Sequence, residues 1–394
     1  VKFVEKEKVL IVKYGEIAMR GNNRKLFVTK LVNAIRKNID SEGDFYVVRE
    51  QGRLIVESRK GEMDTERLIP KINRIFGILG VCPGIRLKDK NIENIEKAAL
   101  EYFNKYRANE KTFKVLTKRS DKRYPMISND ISAEIGAYIL DNCRDIKVDV
   151  HEPEMTLTVE IRNDAYIFSK YYEGCGGLPY GSSGKAVSLI SGGIDSPVAT
   201  WMMAKRGVEV SGVYFHSPPY TGERAKEKVK DLGRILSKYT GVFKLYSVPF
   251  TELQLYLLEN VPEDKLTIFL KRAMMYAAQK IAYKEHADGL VTGESVGQVA
   301  SQTMQGINAI NAVCTMPVLR PLSGMDKQEI VDMARKIGTF ETSILPYEDC
   351  CTIFVAKHPE TRPKTSVINK IEKRLDKLQD IIDKAVDEAE IFEL

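Results

Sequence analysis

The chain has 394 residues, 43% of them hydrophobic and 29% charged, with 60 Lys and Arg against 54 Asp and Glu for a net charge of +6. That length exceeds one ordinary hydrophobic core and implies two or three domains, while the composition excludes a disordered or fibrous chain. No apolar run approaches a membrane span and the first residues lack a secretory core, so the expectation is a cytoplasmic protein with no membrane partner.

Charge is spread unevenly. Residues 1–120 hold 27 Lys and Arg against 16 Asp and Glu, and the remainder is net negative. Either a solvated basic face or a polyanionic partner accounts for that bias. The six cysteines (Cys82, Cys143, Cys175, Cys314, Cys350, Cys351) show no C-x-x-C spacing and the four His are equally scattered, so neither a zinc site nor a disulfide framework is expected. Neighbouring cysteines bond to each other only with strain, which marks at least one of Cys350 and Cys351 as a candidate working thiol.

In chain order, residues 9–14 read as a strand, 15–23 as a Gly- and Asn-rich turn, and 24–39 as a helix with Leu26, Phe27, Leu31, Ala34 and Ile35 at helical spacing. Strands at 46–48 and 54–56 flank Gly52, a helix fits 65–76, and a strand at 81–87 is broken by Pro83. Alternating strands with two helices suggest a small ferredoxin-like layer. A second module follows: helix 92–106, strand 112–117, helix 128–140 capped by Ser128, then strands at 148–150, 156–161 and 165–169. Its first strand leads into Lys118, Arg119, Lys122 and Arg123 beside Tyr124. That loop suits RNA phosphates and one stacked base, or it is simply a solvated charged loop. Residues 174–179 read as a linker.

The stretch KAVSLISGGIDSPVA, residues 185–199, organises the rest. An apolar strand enters a Gly- and Ser-rich turn, Ser196 is placed as the helix cap, and Pro197 as the first helical residue. Gly192 and Gly193 let backbone approach a ligand, and hydroxyls, N–H groups and the helix dipole all favour an oxyanion. A ligand-free tight turn is the alternative. A Walker A loop is excluded, because Pro179 and Ala186 occupy two defining positions around Gly184-Lys185.

Strands at 208–215, 242–248 and 289–291 alternate with helices at 223–239 and 265–285, which predicts a doubly wound parallel sheet with its ligand beyond the C-terminal strand ends. Leu189, Ile190, Tyr214, Phe215, Lys271, Arg272, Gly293 and Gln302 are the further candidates there, with Tyr214 and Phe215 reading an adenine edge and Lys271 and Arg272 reaching a phosphate. Thr292, Glu294, Ser295, Gln298 and Ser301 share that loop as polar groups where a nucleotide needs them, although capping explains Ser295 nearly as well, and His216 is taken as a solvated loop residue. Lys327 opposes the dipole at a helix start, a local conflict that points to function. Ile368, Ile371, Leu375, Leu378 and Ile382 form a coiled-coil-like seam, for packing on its own domain or for a homodimer.

The Ser-Gly-Gly-Ile-Asp-Ser loop resembles the PP-loop of ATP pyrophosphatases. With Tyr14-Gly-Glu, the basic second module and Glu-Asp-Cys-Cys-Thr-Ile-Phe, nearly the whole chain resembles the tRNA 4-thiouridine synthetases, or tRNA sulfurtransferases. The resemblance implies a ferredoxin-like domain at 1–58, a THUMP RNA-binding domain at 59–168, a linker at 169–180 and a PP-loop domain at 181–394. It also implies tRNA as substrate, ATP with Mg²⁺, and a cysteine desulfurase or other persulfide donor as partner. Ser191 to Ser196 would hold pyrophosphate, Asp195 would support Mg²⁺ or orient phosphate, Lys327 would neutralise transition-state charge, and Cys351 would carry the sulfur. The product would be 4-thiouridine at position 8, with a family role in sulfur supply for thiamine thiazole. The rhodanese-like domain of some members is not expected here, which leaves Cys350, Cys175 and Cys314 as candidate resolving thiols. A PP-loop ligase or amidotransferase acting on a small molecule and a non-catalytic RNA-binding protein are the competing functions.

Overall fold

The computed structural model describes residues 6–19, 23–347 and 359–394. They fall into two units, Val1–Leu178 and Pro179–Leu394.

The first unit opens with β1 (Lys6–Tyr14), α1 (Arg24–Ile39), β2 (Phe45–Glu50), β3 (Arg53–Ser58), α2 (Thr65–Asn73) and β4 (Ile78–Leu87), the expected ferredoxin-like order. β1 lies between β3 and β4 and is antiparallel to both. Phe27, Leu31 and Ile35 of α1 are buried against it, whereas Leu26 is 58% exposed and lies off that face. The second module adds α3 (Ile92–Tyr106), β5 (Thr112–Arg119), α4 (Ser128–Asn142), β6 (Lys147–Val148), β7 (Met155–Ile161) and β8 (Ala165–Phe168). β8 pairs antiparallel with β4, so both modules share one nine-stranded sheet.

Three expectations change here. The boundary at residue 58 fails, because Leu68, Ile72, Ile78 and Val81 of α2 and β4 complete one core with Leu10, Leu31 and Leu54. Pro83 does not break β4; it sits opposite Leu10 in register, at a position where its missing N–H is tolerated. Residues 169–178 are no free linker. β9 (Tyr172–Glu173) pairs with β4, and a Cβ on Gly174 would meet the Ile78 carbonyl oxygen at 2.4 Å, so only glycine lets the chain lie this close.

Charges buried in this sheet tie distant strands together. Arg53 on β3 donates to Glu50 at 2.8 Å and to Glu160 of β7 at 2.6 Å, and its guanidinium lies 4.1 Å over the Tyr166 ring of β8. β3 and β7 are separated by β1, β4 and β8. At about 4.8 Å between strands a flat sheet would hold them roughly 19 Å apart, so the direct ion pair requires a strongly curled sheet.

The second unit starts with β10 (Lys185–Leu189), α5 (Asp195–Lys205), β11 (Glu209–His216), α6 (Glu223–Thr240), β12 (Lys244–Pro249), α7 (Thr251–Asn260), α8 (Leu266–Lys284) and β13 (Gly289–Val291). After these come α9 (Met304–Asn311), β14 (Val318–Leu319), α10 (Lys327–Ile337), α11 (Phe340–Ser343), α12 (Thr365–Glu372), α13 (Leu378–Asp387) and β15 (Glu390–Glu393). The sheet order is β14-β13-β10-β11-β12-β15, parallel except for the antiparallel edge strand β15. Continuous burial of Ala186 to Ser188 and of Gly212 to Phe215 follows from cover on both faces. The order reverses at β10 between β11 and β13, the switch point where such sheets bind ligands. The C-terminal seam is two helices, and Ile368, Leu378 and Ile382 pack into this unit's own core. That accounts for the seam without a second chain. No helix among the described residues is long and apolar enough to cross a membrane.

Candidate functional site

At the switch point the turn after β10 folds back on itself. The helix begins at Asp195, two residues earlier than expected, so Ser196 and Pro197 lie inside the first turn. Freed from capping, the Ser196 hydroxyl accepts the Ser191 N–H at 2.8 Å and lies 3.1 Å from the Ser191 hydroxyl, which itself accepts the Gly193 N–H at 3.3 Å. The loop is thereby preshaped around the N-terminal end of α5, where the dipole favours an anion. Lys185, the false P-loop lysine, lies at the start of β10 and pairs with Glu209 at 3.2 Å.

Asp195 is the meeting point of three segments. Its Oδ1 accepts from Lys327 Nζ at 2.6 Å and its Oδ2 from Gln298 Nε2 at 2.8 Å. Lys327 opens α10, whose start is secured by a capping box between Asp326 and Glu329. The lysine that opposes its own helix dipole is thus offset by a carboxylate at the start of α5. The Ser295 hydroxyl donates to the Met325 carbonyl, which ties the loop after β13 to the start of α10 rather than capping a helix.

A cavity of about 220 Å³ adjoins this pair. Its lining includes the expected Leu189, Ile190, Ser191, Asp195, Ser196, Tyr214, Phe215, Lys271, Gly293 and Gln302. The lining combines apolar side chains, Met274, Met275, Ile310 and Phe215, with charged and hydroxylic ones, Ser191, Asp195, Lys271 and Glu294. Such a mixture fits a ligand that carries both a flat apolar ring and anionic groups. Gln302 is nine-tenths buried and its Oε1 has no hydrogen-bond partner, leaving an acceptor available at the wall. Thr292 and Glu294, from the polar loop after β13, line it as well, whereas Met274, Met275 and Ile310 were missing from the candidates. The two methionines had a signal: they follow Lys271 by three and four positions and so share its face of α8.

Gly293 holds the two halves of the site together. A Cβ there would sit 2.7 Å from the Ser196 amide nitrogen and 2.8 Å from its Cα, so the loop after β13 presses on α5 with no room for a side chain.

Arg272 is a correction. It is 3% exposed, and its donors go to Glu372 at 2.5 Å, Asn369 at 2.8 Å and the Ala309 carbonyl at 2.6 Å. Its neighbour Lys271 faces the cavity; Arg272 anchors α12. Neither Gly192 nor Gly193 is among the cavity-lining residues. His216 ends β11 partly buried, 6.3 Å from the Tyr214 ring and nearly parallel to it, and burial together with Lys226 holds its imidazole below the ordinary value. It is no solvated loop residue.

In the first unit the basic loop divides in two. Lys118, Lys122 and Arg123 are exposed cations. Arg119 instead donates to the carbonyls of Tyr124 and Met126, each at 2.8 Å, and the Tyr124 hydroxyl donates to the Lys90 carbonyl at 2.8 Å while its ring packs on the module's core. Both brace the loop, so Tyr124 is not a free stacking platform. Lys122 and Arg123 share a polar cavity of about 520 Å³ with Arg49 of β2 and Arg162 of the turn after β7, two cations sequence reasoning missed because they come from other parts of the chain.

Of the thiols, Cys351 and Cys350 lie outside the described residues. Burial pushes the Cys314 thiol up to about 11, which makes it a poor source of thiolate. No group of three or more His, Cys, Asp or Glu able to hold a metal occurs among the described residues.

Comparison with known proteins follows the same architecture. The family described as thiamine biosynthesis protein (ThiI) matches residues 181–377, the ThiI ferredoxin-like domain 9–82 and the THUMP domain 89–169. A probable tRNA sulfurtransferase of Lachnoclostridium phytofermentans is 50% identical over 98% of this chain and 99% of its own. One from Acetivibrio thermocellus is 49% identical over 98% of each. A crystal structure of a 4-thiouridine synthetase–RNA complex with bound ATP superposes with a TM-score of 0.90, at 39% identity, covering 98% of this chain and 100% of that one.

Proposed function

The chain belongs to the ThiI family and is a tRNA sulfurtransferase, and from that premise we propose that it adenylates a tRNA uridine with ATP before replacing the C4 oxygen by sulfur. The observation that carries this reading is the Asp195–Lys327 pair beside the preshaped Ser191–Ser196 loop, with Asp195 itself lining a cavity of mixed apolar and charged side chains.

A C4 oxygen is a poor leaving group and needs activation. It bonds to the ATP α-phosphorus as pyrophosphate departs, giving an adenylated uridine. The Ser191–Ser196 loop and the α5 dipole accept the departing pyrophosphate, and Lys327 offsets the charge that grows on the phosphoryl oxygens. Mg²⁺ suits this donor set as a passenger on the phosphates, because Asp195 is a nearby carboxylate and such ions are held by one or two carboxylates plus substrate. It would supply charge neutralisation there.

The sulfur step rests on the family resemblance. Terminal sulfur of a Cys351 persulfide attacks C4 and AMP leaves with the C4 oxygen. A second thiol then takes the Cys351 sulfur into a disulfide, releasing 4-thiouridine. A dithiol reductant then returns that disulfide to two thiols, supplying two electrons and two protons, and transfer of the outer sulfur from a persulfide donor such as a cysteine desulfurase recharges the Cys351 thiol. The exposed Lys118, Lys122 and Arg123 supply phosphate contacts for the tRNA.

The test is a nucleoside mass spectrum of tRNA incubated with the purified chain, ATP, Mg²⁺ and a sulfide or persulfide source. 4-Thiouridine appearing only with ATP is expected. ATP turnover with an ammonia acceptor and no modified nucleoside would make the protein a small-molecule ligase instead.

A further inference from the structure

Glu294 has no part in the chemistry above, yet it is the most heavily engaged carboxylate on the cavity wall. It is 9% exposed, and its Oε1 accepts from Lys271 Nζ at 3.1 Å. Its Oε2 accepts from Arg320 Nε at 2.9 Å and from the Thr292 hydroxyl at 3.2 Å. Burial alone would raise this carboxyl; Lys271 and Arg320 outweigh it and hold the group below the ordinary value.

The two cations are placed differently. Lys271 lines the cavity together with Ser191 and Asp195, while Arg320 is not part of the lining and donates its Nη1 to Asn311 at 3.2 Å. One carboxylate therefore sits between a buried guanidinium and an ammonium at the cavity wall, and the cluster keeps one net positive charge. Lysine is a flexible point charge with a large rotamer entropy, so a fixed anion at its tip reduces what a ligand must spend to order it. The position of that anion is itself fixed, because the adjoining Gly293 is pressed against Ser196.

We propose that Glu294 is a positioning residue that holds the Lys271 ammonium at the cavity wall, so that the site presents an ordered cation to the anionic part of its nucleotide. This rests on the reading of the cavity as an ATP site. It also separates two duties in the same loop: Gly293 sets the backbone spacing, and Glu294 sets where the positive charge stands.

The experiment is a double-mutant cycle on the full chain, with dissociation constants measured for ATP and for adenosine in wild type, Glu294→Gln, Lys271→Met and the double variant, and a thermal melt for each. Glu294→Gln should weaken ATP about tenfold while leaving adenosine within about twofold, and the double variant should bind ATP no worse than Lys271→Met alone. Additive losses would overturn the proposal and make Glu294 a direct contact to the ligand or its ion. An equal loss of ATP and adenosine affinity, or a collapsed melt rescued by Glu294→Asp without recovery of ATP affinity, would also overturn it, leaving a structural role. If wild type binds neither probe, the cavity reading itself fails, and that outcome is distinct from failure of the cycle.

Discussion

Both units bury charge, and they do so to opposite ends. In the first, Arg53 is locked between Glu50, Glu160 and the Tyr166 ring, and Arg86 between Glu7, Glu57 and their neighbours. The guanidinium nitrogen of Arg53 that lacks a hydrogen bond belongs to the group lying over that ring, so the network is closed on itself. In the second, Asp195–Lys327 keeps side-chain exposures of 23% and 49%, and Glu294–Lys271 stands on a cavity wall. A closed network fixes shape, because every change leaves an unpaired buried charge. An open one can exchange a partner for a ligand at little cost.

The comparison breaks most sharply at Arg53. Arg53→Ala should destabilise the first unit by about 3 kcal/mol in denaturant melts, since it removes the buried partner of Glu160 and leaves that carboxylate to Arg162 alone at 3.2 Å, while ATP affinity of the folded chain is unchanged. The opposite pattern is expected at Asp195. Asp195→Ala should cut pyrophosphate release by about 10²–10³-fold, leave the melt nearly unaltered, and spare RNA binding. Gly293→Ala combines the two, because its Cβ forces backbone apart at the Ser196 contact: a loss of about 1–3 kcal/mol in stability is expected together with a clear drop in turnover.

Smaller effects separate the bracing from the exposed cations of the basic loop. Lys122→Ala with Arg123→Ala should lower the slope of log affinity against log salt for tRNA by about 2, whereas Arg119→Ala should act through loop stability. Acid provides the mildest test. The Glu7 and Glu294 carboxyls are held low in the folded chain, so the unfolded chain binds more protons near its ordinary carboxylate range. Stability is therefore fully present above about pH 5 and falls as pH drops below it, and Glu294→Gln should flatten part of that fall in a pH series of melts.

Much of this was legible in the chain. The β10–loop–α5 segment, the parallel sheet and most of the cavity lining followed from hydrophobic periodicity and from the rule that such sheets bind at their C-terminal edge. What misled was side-chain facing. Lys271 and Arg272 are neighbours on one helix, separated by about 100° of rotation, and composition gives no means of choosing which one meets a phosphate. Arg119 and Tyr124 looked like RNA contacts because their chemistry suits RNA, but their loop needed donors for its own carbonyls. The missed Arg49 and Arg162 come from segments far from that loop in sequence, and the C-terminal seam was ambiguous because a seam has the same spacing whether it meets its own core or another chain.

The sequence by itself determined the local events: where strands and helices form, that a glycine- and serine-rich turn opens onto a helix start, and that Lys327 stands against its helix dipole. These depend on neighbours within a few residues, where periodicity and capping act. Only the tertiary structure decided that Lys327 meets Asp195, 132 residues away, that Glu294 stands between Lys271 and Arg320, and that two N-terminal modules share one curled sheet. Those pairings are set by packing over long chain separations, where no local pattern specifies which of several suitable charges will be brought face to face.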